Sequence, residues 1–340
     1  MNSTTTTKVP VREILEIARR APSVHNTQPW RWVVDGDRVS LFADYGRQLA
    51  QADPDGRDLV ISCGAALHHL RVAATAAGWQ ARIHRMPNAY NDAQLATISF
   101  EAFPASAQDA RILDALLRRR TDRRRLSAWP VARDRLSPLL QTAGEFGVVA
   151  FGVVSPQARR LVLNLLDEAD RVQRRDPDYL DEVTRWSDRE DGSGVPASSR
   201  LRHPPASDDR GAGTRFPSGN LEDTYLGDDE PADALVVVCS SSDDTSSRLR
   251  AGEALSAILL DATASGLATT TLSQATEVST TRGLLQDDLI KDAANPQILV
   301  RLGWPEDGLE PLRETPRRPL DELVVKPSDL PAGFGSYRMP

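Results

Sequence analysis

The chain has 340 residues, enough for one large domain or two smaller ones. Hydrophobic residues make up 40% and charged residues 26%, the balance of a soluble globular protein, and a net charge of −7 argues against a general nucleic-acid surface. Cys63 and Cys239 both sit in apolar contexts and read as buried thiols of a reducing compartment, not as a disulfide framework or a metal site. Residues 1–10 form a polar arm without the apolar core of a signal peptide, and no apolar run approaches the length of a membrane span. A cytoplasmic protein with no membrane partner is the expectation.

Val11, Ile14, Leu15 and Ala18 recur at helical spacing, so residues 11–20 predict an amphipathic helix ending before Pro22. Residues 31–34 and 38–43 read as a hairpin around Asp35-Gly36. A nearly apolar helix follows at about 56–77, closed by Gly78, then strands at about 80–86 and 97–103 and a helix at 107–118. A second round begins with a helix near 133–143, a strand at 148–154 and a helix at about 156–175. It continues with a strand at 234–240, a buried helix at 246–265 ending at Gly266, a strand at 268–272, a short helix around 280–290 and a strand at 297–303.

The two rounds are related. With a shift of 188, Gly64, Ala66, Leu67, Ala74, Thr75, Ala76 and Gly78 fall on Gly252, Ala254, Leu255, Ala262, Thr263, Ala264 and Gly266. Alanine-rich helices match cheaply, but the glycines coincide at both ends, which predicts an internal duplication. The halves span 11–117 and 118–325, with a tail at 326–340. Residues 176–231 interrupt the second half with Pro177, Pro196, Pro204, Pro205 and Pro217 and Gly192, Gly194, Gly211, Gly213 and Gly219. So long an insertion is either functional or a mobile surface loop with few apolar anchors.

Three clusters carry candidate chemistry. Pro22 and Pro29 bracket Ser23, His25, Asn26, Thr27 and Gln28, a stiff bend that presents donors and acceptors; the same residues also suit an ordinary Asx-type turn. Residues 118–125 are an arginine run broken by Thr121 and Asp122, suited to a phosphate or to a solvated helix end. Thr315-Pro316-Arg317-Arg318-Pro319-Leu320 is a second basic group.

Pro22-Ser23-x-x-Asn26-x-Gln28-Pro29-Trp30 resembles the flavin-contacting motif of the nitroreductase family, and the whole stretch Ala21 to Trp30 is most similar to its Acg-type, dormancy-associated branch. That resemblance implies an α+β fold, a mostly antiparallel sheet flanked by helices. Family members are usually symmetric dimers with FMN at the subunit interface, so a duplicated chain looks like a fused pseudo-dimer, here a monomer. The resemblance implies an FMN-dependent oxidoreductase taking electrons from NAD(P)H to a small-molecule acceptor. It assigns the phosphate to Arg119, Arg120 and Arg123 with Thr121 on the flavin, and to Arg317 and Arg318. It places Pro22, Ser23, Val24, His25, Asn26 and Gln28 at the flavin and Leu272, Ser273 and Gln274 near its N5. For Leu272 to Gln274 a strand end with capping serine is the other reading.

Only the first half carries the Pro-Ser turn, and only the second carries the arginine groups; at the matching place the second half reads Gly144-Glu145-Phe146-Gly147. One complete site per chain is therefore expected, with the other lost. In the Acg-type branch the 176–231 insertion implies a lid over the flavin, which raises a different reading: a protein that stores FMN and turns nothing over. His68-His69, inside an apolar helix without a second ligand pair, reads as packed. Nucleic-acid binding through Arg118 to Arg125 lacks interleaved aromatics. No Gly-x-Gly-x-x-Gly fingerprint or Gly-x-Ser-x-Gly elbow is present.

Overall fold

The computed structural model describes residues 8–202, 215–223 and 232–326. The first seven residues of the polar arm, the tail beyond 326, and the part of the insertion holding Pro204, Pro205, Gly211 and Gly213 lie outside the described residues.

Helix α1 (Val11–Ala18) buries Val11, Ile14, Leu15 and Ala18 along one stripe. Strands β1 (Trp30–Asp35) and β2 (Arg38–Ala43) form the hairpin, with Gly36 at φ +58° supplying the turn's left-handed residue. Helix α2 (Arg57–Ala76), strands β3 (Trp79–Arg85) and β4 (Gln94–Ala102), and helix α3 (Ala107–Arg118) complete the first round. The second round comprises α4 (Arg133–Thr142), β5 (Val149–Gly152), α5 (Pro156–Gln173), α6 (Pro177–Arg185), β6 (Ala234–Ser240), α7 (Thr245–Ala264), β7 (Ala268–Leu272), α8 (Gln274–Glu277), α9 (Ser279–Leu284) and β8 (Asn295–Gly303). The chain ends its described part in α10 (Leu320–Leu323) and β9 (Val324–Val325).

The duplication is visible in the topology. One sheet runs β3-β4-β2-β1 and the other β7-β8-β6-β5, antiparallel at each of these pairings, with a register shift in β2 against β4 and in β6 against β8. The central helices α2 and α7 pack on each other where Gly64 meets Gly252. A Cβ at Gly64 would lie 2.1 Å from the Leu249 carbonyl oxygen, and one at Gly252 would lie 2.0 Å from that of Ile61. Only glycine permits this approach. One turn on, His68 Nδ1 meets Ser256 Oγ at 2.9 Å, a pair again 188 apart in sequence. Gly78 and Gly266, which end the two helices, both take φ +86°.

Three features differ from the sequence reading. Helix α2 is long and apolar enough to cross a membrane, contrary to the expectation that no run approaches that length, but 83% of its most apolar window is buried against α1, α7 and the first sheet. A core helix that is apolar all round passes the same test. The insertion begins as a helix: Asp176 caps α6, which buries Tyr179, Glu182 and Val183 in a cluster with Leu49, Ala52, Val195 and Phe216. Its anchors are more numerous than the sequence implied, Leu49 and Ala52 joining them from outside the insertion, and Glu182 accepts from the Ala52 backbone N–H at 2.9 Å. Finally, β9 returns to pair parallel with β1, so the chain's end covers the first half's sheet.

Candidate functional site

The bend at 23–28 is strained and over-determined. His25, Asn26 and Gln28 take φ of 43°, 54° and 49°, a region side chains other than glycine seldom adopt. Ser23 Oγ accepts from the Gln28 backbone N–H at 2.9 Å, and Ser62 Oγ on α2 accepts from that of Val24 at 3.0 Å. The amides of Asn26 and Gln28 hold neighbouring chain. Asn26 Nδ2 donates to the Gly194 and Pro316 carbonyls at 3.0 and 3.1 Å. Gln28 Nε2 donates to the Gly192 carbonyl at 2.9 Å, and Gln28 Oε1 accepts from the Arg318 backbone N–H at 2.9 Å. These side chains therefore splice the bend to the insertion and to the C-terminal segment, and Ser23 and His25 are left on the inner surface.

On one side of that surface lies a cationic hollow. Arg20, Arg119, Arg120 and Arg317 converge on it, and the carboxylate among its lining residues is Glu314, 2.7 Å from Arg20 and 3.6 Å from Arg120. Burial, then Arg120 and Arg20, push the Arg119 guanidinium down to about 10. Burial, then Arg119 and Arg20, push that of Arg317 down to about 9. Nε of Arg119, Arg120 and Arg317 each lack a partner among the described residues. Like charges held together with unspent donors favour a multivalent anion, whose entry would relieve the mutual repulsion. Arg318 faces away, its Nε 3.4 Å from Glu322.

The arginine run is extended, and beyond Arg120, which also lines the hollow, its alternation separates inward from outward side chains. Thr121 bridges to Thr269 of β7, and the Asp122 backbone N–H donates to the Thr269 carbonyl at 3.0 Å. Arg119, Thr121 and Arg123 then face inward. Asp122 and Arg124 face the protein as a buried pair at 2.8 Å, braced by Arg301 on the Asp122 and Arg124 carbonyls. Thr121 and Arg123 line both the hollow and a second, less polar cavity beside it.

That second cavity lies between the halves. Pro22 to His25 and the α2 residues Ile61 and Ala65 wall one side; Leu255 of α7 and Thr270 to Gln274 wall the other. Leu272 is buried there, Ser273 Oγ accepts from Arg215 Nη1 at 3.1 Å, and Gln274 Nε2 turns out to Gln173 Oε1 at 3.0 Å. The insertion closes over it. Phe216 packs edge-on against His25 with ring centres 5.0 Å apart, and Arg123 lies 5.2 Å from the Phe216 ring. Arg215 ties this cover down through Tyr179 Oη at 3.0 Å and an ion pair with Glu277. Burial lowers the proton affinity of the Arg215 guanidinium, and Glu277 and Tyr179 raise it by more. His25 is held neutral by burial and by Arg215 and Arg123, and neither ring nitrogen has a partner among the described residues.

Sequence reasoning missed Arg20, Glu314, Arg215, Phe216 and Asp58. Asp58, on the first turn of α2, is 4% exposed and lines the second cavity. Its one sequence signal is an acidic residue at a helix start, which ordinarily means no more than a favourable dipole contact.

The duplication would place a mirror cavity on the opposite side of the α2–α7 pair. There, the positions matching Ala65 and Ser273 are Glu253 and Arg85, which form a two-pronged ion pair at 2.7 Å with the Glu253 carboxylate buried. Arg250, matching Ser62, donates to the Phe146 carbonyl at 3.3 Å.

Fold and site together define a duplicated α+β protein with an arginine-lined hollow joined to a less polar cavity between its halves. The chain is 39% identical over 321 residues to "Putative NAD(P)H nitroreductase Rv3131" of Mycobacterium tuberculosis, covering 94% of this chain and 92% of that one. It is 36% identical over 325 residues to "Putative NAD(P)H nitroreductase acg" of the same organism, covering 95% and 97%. A nitroreductase with bound FMN from Desulfitobacterium hafniense is a distant likeness, 13% identical with a TM-score of 0.40 over 63% of this chain and 97% of that one. No protein-family model matches the chain. On the strength of its full-length relatives, the chain belongs to the nitroreductase family, in the branch that includes acg.

Proposed function

We propose that this chain binds one FMN between its two halves and serves as an NAD(P)H-dependent oxidoreductase. The observation that carries the reading is the joined pair of cavities: a hollow of buried and half-buried, mutually repelling arginines opening onto a cavity with apolar walls. FMN has the matching shape, a dianionic phosphate tethered to a planar ring. Arg119, Arg120 and Arg317 would hold the phosphate, with Arg20 beside them; Arg123 and Thr121 stand where hollow and cavity meet. Ile61, Ala65, Leu255 and Leu272 offer the apolar platform.

FMN supplies the redox chemistry when bound, passing electrons from NAD(P)H to a small-molecule acceptor. The protein's part is to bind, orient and cover. His25 is neutral and unpartnered, fit to accept a hydrogen bond from ring or acceptor. One FMN per chain follows from the second half's lack of the Pro-Ser turn and from the Arg85–Glu253 pair that fills the mirror position.

A second reading has its own observation. Phe216 seated on His25, with Arg215 fastened to Glu277 and Tyr179, covers the cavity where a nicotinamide would approach, which favours FMN storage. An anaerobic absorbance titration of FMN-loaded protein with NADPH and then NADH separates the two. Rapid bleaching of the flavin band supports turnover. A flavin that stays oxidised with both donors yet bleaches with dithionite supports storage, and the oxidoreductase reading fails.

A further inference from the structure

Asp58, like His25, is a buried polar group lining the ring cavity without a hydrogen-bond partner among the described residues. Three other hydrogen-bonding side chains of the cavity, Ser62, Gln274 and Ser273, are spent within the protein. Ser62 Oγ accepts from Val24 N–H and donates to the Asp58 backbone carbonyl at 2.6 Å; Gln274 donates to Gln173 and Asp170; Ser273 accepts from Arg215. The nearby Asp53 carboxylate accepts from the backbone N–H groups of Asp58 and Leu59 at 3.1 and 2.8 Å, so the start of α2 does not need the Asp58 side chain as a cap. Both Asp58 carboxyl oxygens are buried without a hydrogen-bond partner among the described residues. A buried polar group left unpaired is costly, and one that lines a cavity is paired by what enters.

The charges that face Asp58 are Asp53 from the preceding loop, Arg57 on its own helix, Glu277 on α8 and Arg215 from the insertion. The two arginines are committed elsewhere, Arg57 to Gln297 Oε1 at 2.7 Å and Arg215 to Glu277 and Tyr179. Burial first, then Asp53 and Glu277, hold the Asp58 carboxyl well above the usual carboxylate range. That environment favours the protonated form, which offers a hydroxyl donor and a carbonyl acceptor side by side.

We propose that Asp58 recognises the imide edge of the bound ring, its carboxyl group donating to a ring carbonyl and accepting from the adjacent ring N–H. The inference rests on the FMN reading and adds to it an orientation: the pyrimidine edge toward Asp58, the dimethylbenzene edge toward the apolar walls. The match is two-point, and a methyl group on the imide nitrogen abolishes half of it.

The test measures dissociation constants for FMN and N3-methyl-FMN by flavin fluorescence on wild type, Asp58→Ala and Asp58→Asn. Wild type should bind N3-methyl-FMN roughly tenfold or more weakly than FMN. Asp58→Ala should lose roughly tenfold or more for FMN and about twofold or less for the methylated analogue, and Asp58→Asn, which keeps a donor beside an acceptor, should stay near wild type for FMN. Equal losses for both flavins in Asp58→Ala, or equal affinities of wild type for both, overturn the assignment while leaving FMN binding intact. The wild-type comparison stands even if a variant fails to fold. Absence of FMN binding to wild type overturns the parent reading and this one with it.

Discussion

Arg317→Ala should push ligand affinity and apoprotein stability in opposite directions. In the FMN complex, the Arg317 guanidinium would hold phosphate through charge-assisted hydrogen bonds worth about 1.5–3 kcal/mol each. Losing one or two of them weakens FMN by about 2–4 kcal/mol, some 30- to 1,000-fold, since about 1.4 kcal/mol is tenfold. Riboflavin lacks the phosphate and should change by about threefold at most. In the apoprotein the same side chain carries a burial cost that its bonds to the Thr315, Pro316 and Arg20 carbonyls offset only in part. Burial, Arg119 and Arg20 push it down to about 9 from an ordinary 12.5. At about 1.4 kcal/mol per pH unit the cost is at most about 5 kcal/mol, and solvent screening of this half-buried side chain reduces it to about 1–2 kcal/mol. A base with a lowered folded pKa destabilises the fold fully below that pKa, and the penalty fades as pH rises from the folded to the unfolded value. At pH 7 the alanine variant should therefore melt no lower than wild type without ligand, and gain far less on adding FMN. The assay is thermal melting of both proteins with and without FMN, paired with fluorescence titration of FMN and riboflavin. Equal losses for the two flavins, or an apoprotein that melts much lower, would refute the phosphate role.

Other predictions follow from the same geometry. Gly64→Ala places a methyl group against the Leu249 carbonyl and should destabilise the protein by about 3 kcal/mol or more in chemical denaturation; a change under about 1 kcal/mol would mean the halves can slide apart freely. Asp53, pushed up to about 6 by burial, binds its proton more tightly folded than unfolded. Its contribution should make stability fall as pH rises from about 4 to 6, and Asp53→Asn should flatten that slope relative to wild type. Glu277→Gln weakens the Arg215 anchor of the cover, so FMN should dissociate faster in stopped-flow exchange; an unchanged rate would mean the cover is not held there.

Much of this architecture is legible in the sequence because the signals are local. The 3.6-residue stripe of α1, the glycines that close α2 and α7, and the repeat of 188 each need only a short window of residues. The duplication then fixes the shared strand order. The site was legible in its materials more than in its assignments. The arginine run reads as one cationic block, yet its extended alternation sends Arg119 and Arg123 inward and buries Arg124 against Asp122. Asn26 and Gln28 read as ligand contacts, but their partners lie at Gly192, Gly194, Pro316 and Arg318, more than 160 residues away, where no local pattern reaches. Arg215 and Phe216 sit in a stretch with no periodicity and matter through Glu277 and His25. Asp58 carries no sequence signal of unpaired burial, which is a property of the packed cavity alone.

The central claim is a single FMN site per chain, made by complementary halves. Titrating apoprotein of known chain concentration with FMN, read by quenching of flavin fluorescence, tests it most directly. The account predicts a sharp end point at one FMN per chain, lost when Arg119 and Arg317 are both replaced by alanine. An end point at two per chain would mean that the Arg85–Glu253 pair does not close the mirror site, and the claim would be contradicted.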